Sequence, residues 1–397
     1  MPRVRNHLLA LRNALPADLA PAPDAVEHSA ALVRLIVDEI ARAGGWIGFA
    51  RYMQLALYAP GLGYYASGSH KLGAAGDFVT APESSPLFAA TLARQAAEVL
   101  GAAGGDILEL GAGSGRLAAG LLQALADQAS VPERYLILEV SGELRERQRT
   151  WLRRLPPALA ARVAWIDTPP SSHDGLILGN EVLDAIPTHV VAWREREIFE
   201  RGVVQDANGL AWQDRPLRAG PVLDAARQLN PPPPYVSEIN LAAPALVASV
   251  AGILRRGVML FIDYGFGSRE YYHPQRSAGT LMCHYRHRAH GDPFFLPGLQ
   301  DITAHVDFTA VAQAGARAGL DFLGYTTQAQ LLVNLGITDL LAGTSADDAS
   351  AYLPRAAEAQ QLLSPAEMGE LFKAIALGRG LRGPLAGFRD GDKSHLL

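Results

Sequence analysis

Three glycines at alternate positions follow a short apolar segment that contains an acid, and these residue types could hold a cofactor. Residues 106–110 read Asp-Ile-Leu-Glu-Leu, Gly111, Gly113 and Gly115 come next, and residues 117–125 are apolar at helical spacing. The pattern predicts a strand, a tight turn and a helix. Glycines at such a turn tolerate positive φ and let a ligand approach the backbone closely.

The spacing of the glycines favours one class of cofactor. A dinucleotide fingerprint, G-x-G-x-x-G/A, needs a small residue at its sixth position for the contact between helix and strand, and this chain has Arg116 there. The observed G-x-G-x-G, with Glu109 shortly before it, resembles motif I of S-adenosylmethionine (SAM) methyltransferases. The alternative is a glycine-rich turn without a ligand, because a glycine pattern alone has low specificity.

Acids follow at the ends of the next two predicted strands. Residues 134–140 predict a second buried strand with Glu139 at its end. In a parallel βαβ unit this places a carboxylate where it can accept hydrogen bonds from both ribose hydroxyls. At the end of a third short strand, Trp165 or Ile166 could cover an adenine face and Asp167 could bind the exocyclic amine. Equally, these three residues could belong to the core or to the surface.

The segment after a fourth predicted strand carries the candidate catalytic residues. Residues 175–179 lead into Asn180, Glu181 and Asp184, and in a doubly wound sheet this strand end faces the ligand crevice. Carboxylates there could bind a cationic guanidinium and keep its lone pair aimed at a methyl carbon. The structural alternative is helix capping, with Asn180 at the N-cap and both acids in the first turn of a short helix.

Composition and charge fit an enzyme and restrict its partners. With 397 residues, of which 49% are hydrophobic, the chain can bury a large core. The net charge of −5 gives no electrostatic argument for a nucleic-acid partner. Cys283 is the only cysteine, which excludes an intramolecular disulfide and suits a reducing cytosol. No apolar run reaches the ~18 residues that span a membrane.

The N-terminal segment leaves the compartment open between two alternatives. Its first 17 residues contain Arg3, Arg5 and Arg12 and no acid, which faintly resembles a mitochondrial presequence. We favour a basic amphipathic N-terminus on a cytoplasmic protein, with the mitochondrial matrix as the alternative.

The order of the predicted elements indicates an α/β chain with a Rossmann-like core. An N-terminal helical and loop region is expected at 1–86, and the core at 87–330. Insertions are expected within the core at about 194–236 and 265–307, and a C-terminal helical region at 331–397. A hairpin is predicted over residues 188–201.

Several longer segments resemble the MidA family of SAM-dependent methyltransferases, which is related to the mitochondrial complex I assembly arginine methyltransferase. They occur in order from about residue 30 to residue 380, and the most particular ones are Gly76–Glu83, Asn180–Pro187 and Gln300–Phe308. The resemblance implies a class I methyltransferase fold with added helices and loops, and SAM as the cofactor. The best-described member converts an arginine on a subunit of respiratory complex I to the symmetric dimethyl form. An arginine side chain on a partner protein is therefore the implied acceptor.

The resemblance also places an inserted loop near the cofactor and the substrate. That loop carries Asp77, Thr80 and Glu83, although ordinary turn capping explains its acids equally well. On the cofactor side, the glycine turn would approach the methionyl part of SAM, and Glu109 would tighten that site.

A second set of acids is a candidate for binding the acceptor. Glu238 joins Glu181 and Asp184 as a candidate for holding a guanidinium. Asp263 and Tyr264 lie at the end of another predicted strand and could help. Their alternative role is to form a turn with the glycine that follows.

Five of the eleven histidines lie close together in the chain, at His273, His284, His287, His290 and His305. The spacing of the middle three invites a metal site, but no second cysteine or tight acidic cluster completes a tetrahedral set. We expect no metal. A loop over the active site that contacts the substrate is the preferred interpretation, and His273 and His290 could also be plain surface residues.

Two other classes of function remain open from the sequence. A SAM-binding assembly factor without catalysis would also have an intact glycine turn. Methylation of a small molecule or a nucleobase is the other, although the Asn180–Glu181 loop lacks the Pro-Pro-Tyr sequence of loops that hold aromatic amines. The oligomeric state cannot be predicted from the sequence.

Overall fold

A computed structural model describes residues 8, 9, 12, 15–66, 80–345, 347–381 and 383–397. The chain divides into two compact units, each built from three segments. Unit 1 comprises residues 1–78, 185–242 and 271–305, and unit 2 comprises residues 79–184, 243–270 and 306–397. Strands are numbered β1 to β16 in chain order.

Unit 1 is built on an antiparallel sheet of five strands, which are β1 (Ile47–Gly48), β6 (His189–Trp193), β7 (Ile198–Gln205), β8 (Leu210–Pro216) and β9 (Tyr235–Ile239). β7 pairs with β1, β6 and β8, and β9 pairs with β6. A smaller sheet contains β11 (Met282–Tyr285), β12 (Arg288–His290) and β13 (Asp301–Thr303). The helices of this unit are Pro23–Arg42, Phe49–Tyr58 and Pro221–Leu229, with 3-10 turns at Tyr64–Ala66 and Pro274–Arg276.

Unit 2 is built on an eight-stranded sheet in the order β15-β16-β10-β5-β2-β3-β4, with β14 paired to β10. Its strands are β2 (Asp106–Leu110), β3 (Tyr135–Leu138), β4 (Val163–Ile166), β5 (His173–Asn180), β10 (Leu254–Phe266), β14 (Val306–Asp307), β15 (Asp321–Thr327) and β16 (Phe372–Arg379). Five adjacent strands of this sheet, β10, β5, β2, β3 and β4, pair in parallel. β16 runs antiparallel to both of its neighbours. All five residues of β2 are buried, as expected for a central parallel strand.

The helices of unit 2 pack around this sheet in one continuous hydrophobic cluster, which includes Phe88, Leu121, Leu178 and Leu260. The longer helices are Pro86–Ala103, Arg116–Asp127, Gly142–Leu152, Phe308–Arg317 and Ala349–Leu363. The shorter ones are Ala81–Ser84, Pro157–Ala160, Gln328–Asn334 and Ile337–Ala342, with 3-10 turns at Ala386–Phe388 and Ser394–Leu396. Helices Ala242–Ile253 and Ser268–Tyr271 lie where the chain passes between the units.

The α/β fold and the predicted hairpin agree with the sequence analysis, and two features differ from it. The two expected insertions belong, with the N-terminal region, to one separate unit, because β1 pairs with residues 202 and 203 of β7. The expected C-terminal helical region contributes β16 to the middle of the large sheet. The apolar run at residues 374–377, within Phe372–Arg379, is too short for its periodicity to separate a buried strand from a buried helix.

Candidate functional site

The site lies in unit 2, where the order of the strands reverses. The chain runs from β2 to β3 and β4 on one side, and then returns to β5 on the other side of β2. In open α/β sheets, ligands bind outside the carboxyl ends of the strands at such a switch point. The glycine turn follows β2, Glu139 follows β3, and Asn180 ends β5. The fold therefore brings the main predicted site residues to one edge of the sheet.

The turn after β2 requires glycine both for its backbone conformation and for its packing. Gly111, Gly113 and Gly115 have φ of 63°, 51° and 87°. A Cβ on Gly111 would lie 2.9 Å from Val182 Cγ2, and a Cβ on Gly115 would lie 2.9 Å from Gln148 Cα. The turn is thus packed against the loop that follows β5 on one side, and against a neighbouring helix on the other.

Glu139 is held at the carboxyl end of β3 by a buried network. It is 8% exposed, and its carboxylate accepts hydrogen bonds from the Ser141 N–H at 2.8 Å and from Gln148 Nε2 at 3.2 Å. Burial raises the pKa of Glu139, while these hydrogen bonds and the charge of Arg145 act in the opposite direction. The carboxylate is therefore oriented before any ligand binds.

Gln148 contacts several residues of the candidate site, and the sequence analysis did not name it. It is fully buried, and its Nε2 also donates to the Gly113 carbonyl at 3.1 Å. The Trp165 indole N–H donates to Gln148 Oε1 at 2.7 Å. One side chain thus joins the glycine turn, Glu139 and the end of β4. No local signal marks it, because its helix is rich in charged residues and a glutamine there is typical of an exposed face.

The residues expected to contact adenine lie at the end of β4. Arg145 donates to the Glu139 carbonyl at 2.8 Å and to the Ile166 carbonyl at 3.2 Å, and it pairs with the Asp167 carboxylate. The Asp167 side chain is 79% exposed. Trp165 is half-buried, with its N–H bound to Gln148. Arg145 therefore ties the ends of β3 and β4 together and sets the direction of Asp167.

The loop after β5 presents Glu181 and Asp184 beside the glycine turn. It does not form the short helix that the capping alternative required. Glu181 has a φ of 52°, its N–H donates to the Ile262 carbonyl at 2.9 Å, and its Oε1 accepts from Asn180 Nδ2 at 3.1 Å. The Tyr264 hydroxyl donates to the buried Asp184 carboxylate.

Asp263, near the end of β10, holds this loop through hydrogen bonds to its backbone. It is 1% exposed, and its Oδ2 accepts hydrogen bonds from the N–H groups of Val182, Leu183 and Asp184 at 3.1, 2.8 and 3.3 Å. Its Oδ1 accepts from the Tyr264 N–H at 3.0 Å. Burial, together with the negative charges of Asp184 and Glu181, raises the pKa of Asp263 well above its ordinary range.

The inserted segment reaches both the glycine turn and the loop after β5. The Glu83 carboxylate accepts a hydrogen bond from the Ser114 hydroxyl and pairs with Arg116 Nε at 3.3 Å. The Ala81 N–H donates to Glu181 Oε1 at 3.4 Å. Thr80 precedes the helix Ala81–Ser84, and its side chain makes no capping hydrogen bond. Asp77 lies outside the described residues.

Two of the predicted acids are buried within their own units. Glu109 accepts from the Tyr135 hydroxyl at 2.8 Å, and burial raises its pKa to about 7. Glu238 belongs to β9 of unit 1, where its carboxylate accepts from the N–H groups of Thr280 and Leu281 at 2.9 and 3.1 Å and from the Tyr271 hydroxyl at 3.1 Å. Glu238 therefore fixes the segment before β11.

The clustered histidines lie in unit 1 and show varied surroundings. His284 and His290 are half-buried on paired strands, and burial lowers the pKa of both. His273 caps a 3-10 turn. Among the described residues, no group of three or more histidine, cysteine, aspartate or glutamate side chains could hold a metal ion.

Comparison with known proteins identifies the family. Residues 91–326 match the model of the Methyltransf_28 family of S-adenosyl-L-methionine-dependent methyltransferases. The chain belongs to this methyltransferase family. A crystal structure of a protein from Burkholderia thailandensis with S-adenosyl-homocysteine bound is 53% identical, with a TM-score of 0.93, over 97% of this chain and 100% of that one. SAM is therefore the cofactor, and the predicted class I fold is confirmed.

The methyltransferase is also similar to curated proteins named protein arginine methyltransferase NDUFAF7, mitochondrial. The Danio rerio protein is 28% identical over 84% of this chain and 84% of its own length. The Homo sapiens protein is 28% identical over 85% of this chain and 81% of its own length. In the described part of the methyltransferase, no helix combines the length and the apolar character that crossing a membrane requires.

The residues at the switch point fit a bound SAM. Gly111, Gly113 and Gly115 have no side chains and have positive φ, so a ligand can approach the backbone of the turn closely. Asn180 Oδ1 is buried and accepts no hydrogen bond from the described residues, so it is available to a donor on a ligand. Glu139 stands at the strand end where a ribose-binding acid is expected.

Proposed function

We propose that this methyltransferase transfers a methyl group from SAM to the guanidinium of an arginine on a partner protein. The observation that carries the proposal is the packing of Val182 against Gly111, which brings the loop that carries Glu181 and Asp184 against the glycine turn. The relatives from Danio rerio and Homo sapiens are named protein arginine methyltransferases, which agrees with this acceptor. The net charge of −5 adds no attraction for nucleic acid.

The chemistry divides between the cofactor and the side chains. SAM, when bound, supplies a methyl group already activated by its sulfonium. Glu139 would accept hydrogen bonds from the ribose, and the glycine turn would lie along the methionyl part. The protein's remaining task is to hold the acceptor nitrogen in line with the methyl carbon and to take up its proton.

Glu181 and Asp184 are the proposed residues for that task. A guanidinium is planar and carries five donors in a fixed fork, so two carboxylates at different angles match it better than they match an ammonium. Asn180, hydrogen-bonded to Glu181 at 3.1 Å, would orient that carboxylate. A carboxylate in contact with the guanidinium would hold it and accept the proton released at nitrogen.

The product and the cellular target belong to the same proposal. By family resemblance, the product is symmetric dimethylarginine, and the target is a subunit of a respiratory complex during its assembly. Mass spectrometry of the labelled protein would identify both the residue and its methylation state.

The similar proteins point to two different cellular compartments for this methyltransferase. The curated relatives are named as mitochondrial at 28% identity, whereas the Burkholderia thailandensis protein is 53% identical. We propose the cytoplasm as the compartment, because the more similar protein comes from a bacterium, which has no mitochondria. Fractionation of the host cells with an antibody to the protein checks this, and recovery with mitochondria would contradict it.

The test of the reaction uses a lysate from a strain of the host organism that lacks the gene. Purified protein and methyl-labelled SAM should label at least one protein in that lysate, on arginine. Glu181→Gln keeps the size of the side chain and removes its charge, so labelling should fall at least tenfold while affinity for SAM stays within about twofold. Glu146→Gln is the matched control, because Glu146 is an exposed acid of the same unit that pairs with Arg149.

Three results would contradict the proposal in different ways. Full activity of Glu181→Gln would remove that residue from the site. Label on lysine, a nucleobase or a metabolite would leave a methyltransferase with another acceptor. Tight SAM binding with no transfer to any component would favour the assembly factor that acts without catalysis.

A further inference from the structure

One carboxylate oxygen of Asp263 accepts hydrogen bonds from three successive backbone N–H groups. Its Oδ2 accepts the N–H groups of Val182, Leu183 and Asp184 at 2.8–3.3 Å. These residues follow Glu181 directly, and the last of them is itself an acid of the proposed acceptor site. Each of these hydrogen bonds satisfies a backbone N–H of the loop, and together they hold three consecutive residues. Asp263 therefore fixes the path of the loop rather than the position of one side chain.

The same strand also holds the residue before those amides. The Glu181 N–H donates to the carbonyl of Ile262, the residue next to Asp263 in β10. Glu181 has a φ of 52°, in the left-handed region that residues other than glycine rarely adopt. Such a conformation persists where the surrounding structure over-determines it, and it occurs often at functional sites. Consecutive residues of β10 thus hold both sides of Glu181.

The neighbouring residue completes the arrangement. The Tyr264 N–H donates to Asp263 Oδ1 at 3.0 Å, and the Tyr264 hydroxyl donates to the Asp184 carboxylate. Ile262, Asp263 and Tyr264 therefore set, in order, the backbone of Glu181, the backbone of residues 182–184, and the side chain of Asp184. The end of β10 is a template for the two acids proposed to hold the acceptor.

The chemical identity of Asp263 argues against a role in stability alone. It is a third carboxylate, 1% exposed, close enough to Glu181 and Asp184 for their charges to disfavour its ionised form. Burying a charge beside like charges is unfavourable. A carboxyl group at this position therefore carries a cost in stability that an amide or apolar side chain would not.

We propose that Asp263 is a positioning residue for the methyl acceptor, acting by holding the Asn180–Asp184 loop in the geometry that aims Glu181 and Asp184. This inference rests on the proposed function, because it assigns the loop to the acceptor. It places Asp263 outside the binding of SAM, since its hydrogen bonds go to loop amides and to Tyr264 and none of the contacts described for it reach the glycine turn.

The test compares Asp263→Ala and Asp263→Asn with a matched control. Asp307 is a half-buried aspartate of the same unit whose carboxylate likewise accepts two successive backbone amides, of Thr309 and Ala310, and it caps a helix. Asp307→Ala should therefore destabilise the protein in a comparable way without touching the loop. Three measurements are made on each variant: thermal unfolding, titration with S-adenosyl-homocysteine, and amide hydrogen exchange of the peptide that covers residues 181–184.

The expected pattern separates positioning from stability. Asp263→Ala should speed exchange of the 181–184 amides at least tenfold and leave the affinity for S-adenosyl-homocysteine within twofold. Asp263→Asn should exchange at an intermediate rate, because its one side-chain oxygen still accepts from the loop. With the lysate protein that the wild type labels, kcat of Asp263→Ala should fall about 100-fold, as expected for a misplacement near 1 Å. Asp307→Ala should keep its kcat and its loop protection.

Two results would overturn the inference. Unchanged exchange of residues 181–184 in Asp263→Ala would mean that the loop does not depend on this carboxylate. Equal losses of kcat in the Asp263→Ala and Asp307→Ala variants would assign Asp263 to stability alone. If the wild type labels no acceptor, the proposed function fails, and the exchange and titration data still decide whether Asp263 holds the loop independently of the cofactor.

Discussion

Replacing Gln148 with leucine should weaken cofactor binding although Gln148 is buried behind the residues proposed to touch the cofactor. The Trp165 N–H donates to Gln148 Oε1, which fixes the orientation of the amide. Nε2 must then face the Gly113 carbonyl and the Glu139 carboxylate, at 3.1 and 3.2 Å. Leucine has a similar volume and removes all three hydrogen bonds, so Glu139 loses the partner that holds one of its oxygens.

The size of the effect follows from the kinds of hydrogen bond that are lost. A hydrogen bond to a charged group contributes about 1.5–3 kcal/mol, and a neutral one about 0.5–1.5 kcal/mol. Loss of the hydrogen bond to the charged Glu139 and of the two neutral ones should therefore lower the free energy of unfolding by about 2.5–6 kcal/mol. Only the bond to Glu139 acts on the proposed ribose site. The expected loss of affinity for S-adenosyl-homocysteine is therefore about 1.5 kcal/mol, roughly tenfold in Kd.

Isothermal titration of a double-mutant cycle checks this pathway. Glu139→Ala alone should weaken binding about 10- to 100-fold. Because Gln148 is expected to act through Glu139, the variant with both substitutions should bind about as weakly as Glu139→Ala alone. Gln95→Leu is the control. Gln95 is another fully buried helical glutamine of unit 2, bonded to Glu98 and to the Gly387 N–H, so its loss should lower stability and leave Kd unchanged.

Additive losses in the cycle would refute the reasoning, because they would mean that Gln148 acts on the cofactor independently of Glu139. An unchanged Kd in folded Gln148→Leu would show that Glu139 is oriented by its other partners. A Gln95→Leu variant that binds as weakly as Gln148→Leu would attribute both effects to general destabilisation.

Two further variants test the glycine turn and the buried acid before it. Gly115→Ala should abolish measurable SAM binding and lower the unfolding temperature, because residue 115 has a φ of 87° and a Cβ there would meet Gln148 Cα at 2.9 Å. The control is Gly142→Ala, which should bind SAM normally because a Cβ there meets no atom within 4 Å. Normal SAM binding by the Gly115→Ala variant as well would contradict the assigned packing. Glu109 has a folded pKa of about 7 against an ordinary value of 4.5, so the folded state holds the extra proton and wild-type stability should fall as pH rises between those values. Relative to wild type, Glu109→Gln should gain about 3 kcal/mol of unfolding free energy between pH 4.5 and pH 7.5 by urea denaturation, and parallel pH profiles would exclude that assignment.

The sequence predicted the parts of the large sheet in which local spacing carries information. The apolar segment before Gly111, the helix after Arg116 and the strand that ends at Glu139 follow from patterns within about thirty residues. The prediction that the glycine turn, Glu139 and Asn180 follow or end parallel strands agrees with the structure, because parallel βαβ units place successive strand ends at one edge. Strand β16 could not be predicted in the same way, because its apolar run fits a buried helix equally well.

The partners of the site residues depend on contacts between distant segments. Glu238 carries the same charge as Glu181 and follows a comparable strand, but the structure encloses its carboxylate between Thr280, Leu281 and Tyr271. The pairing of residues 47 and 48 with β7 assigns that region to a separate unit. Neither fact has a local signature, so the partners of these residues could not be predicted from charge and position at a strand end.

The sequence analysis missed Gln148, and it named Asp263 only as a possible aid to binding the acceptor, because the hydrogen bonds of both residues could not be predicted. Each is buried, and each binds backbone groups of a loop that lies far from it in sequence, on the cofactor side for Gln148 and on the acceptor side for Asp263. Backbone groups carry no residue identity, so no pairing rule in the sequence connects them with their partners. The consequence is a separation of effects: a change at Gln148 should appear in the affinity for the cofactor, and a change at Asp263 in turnover. The two loops touch where Val182 packs on Gly111, so any coupling between the two losses should arise at that contact.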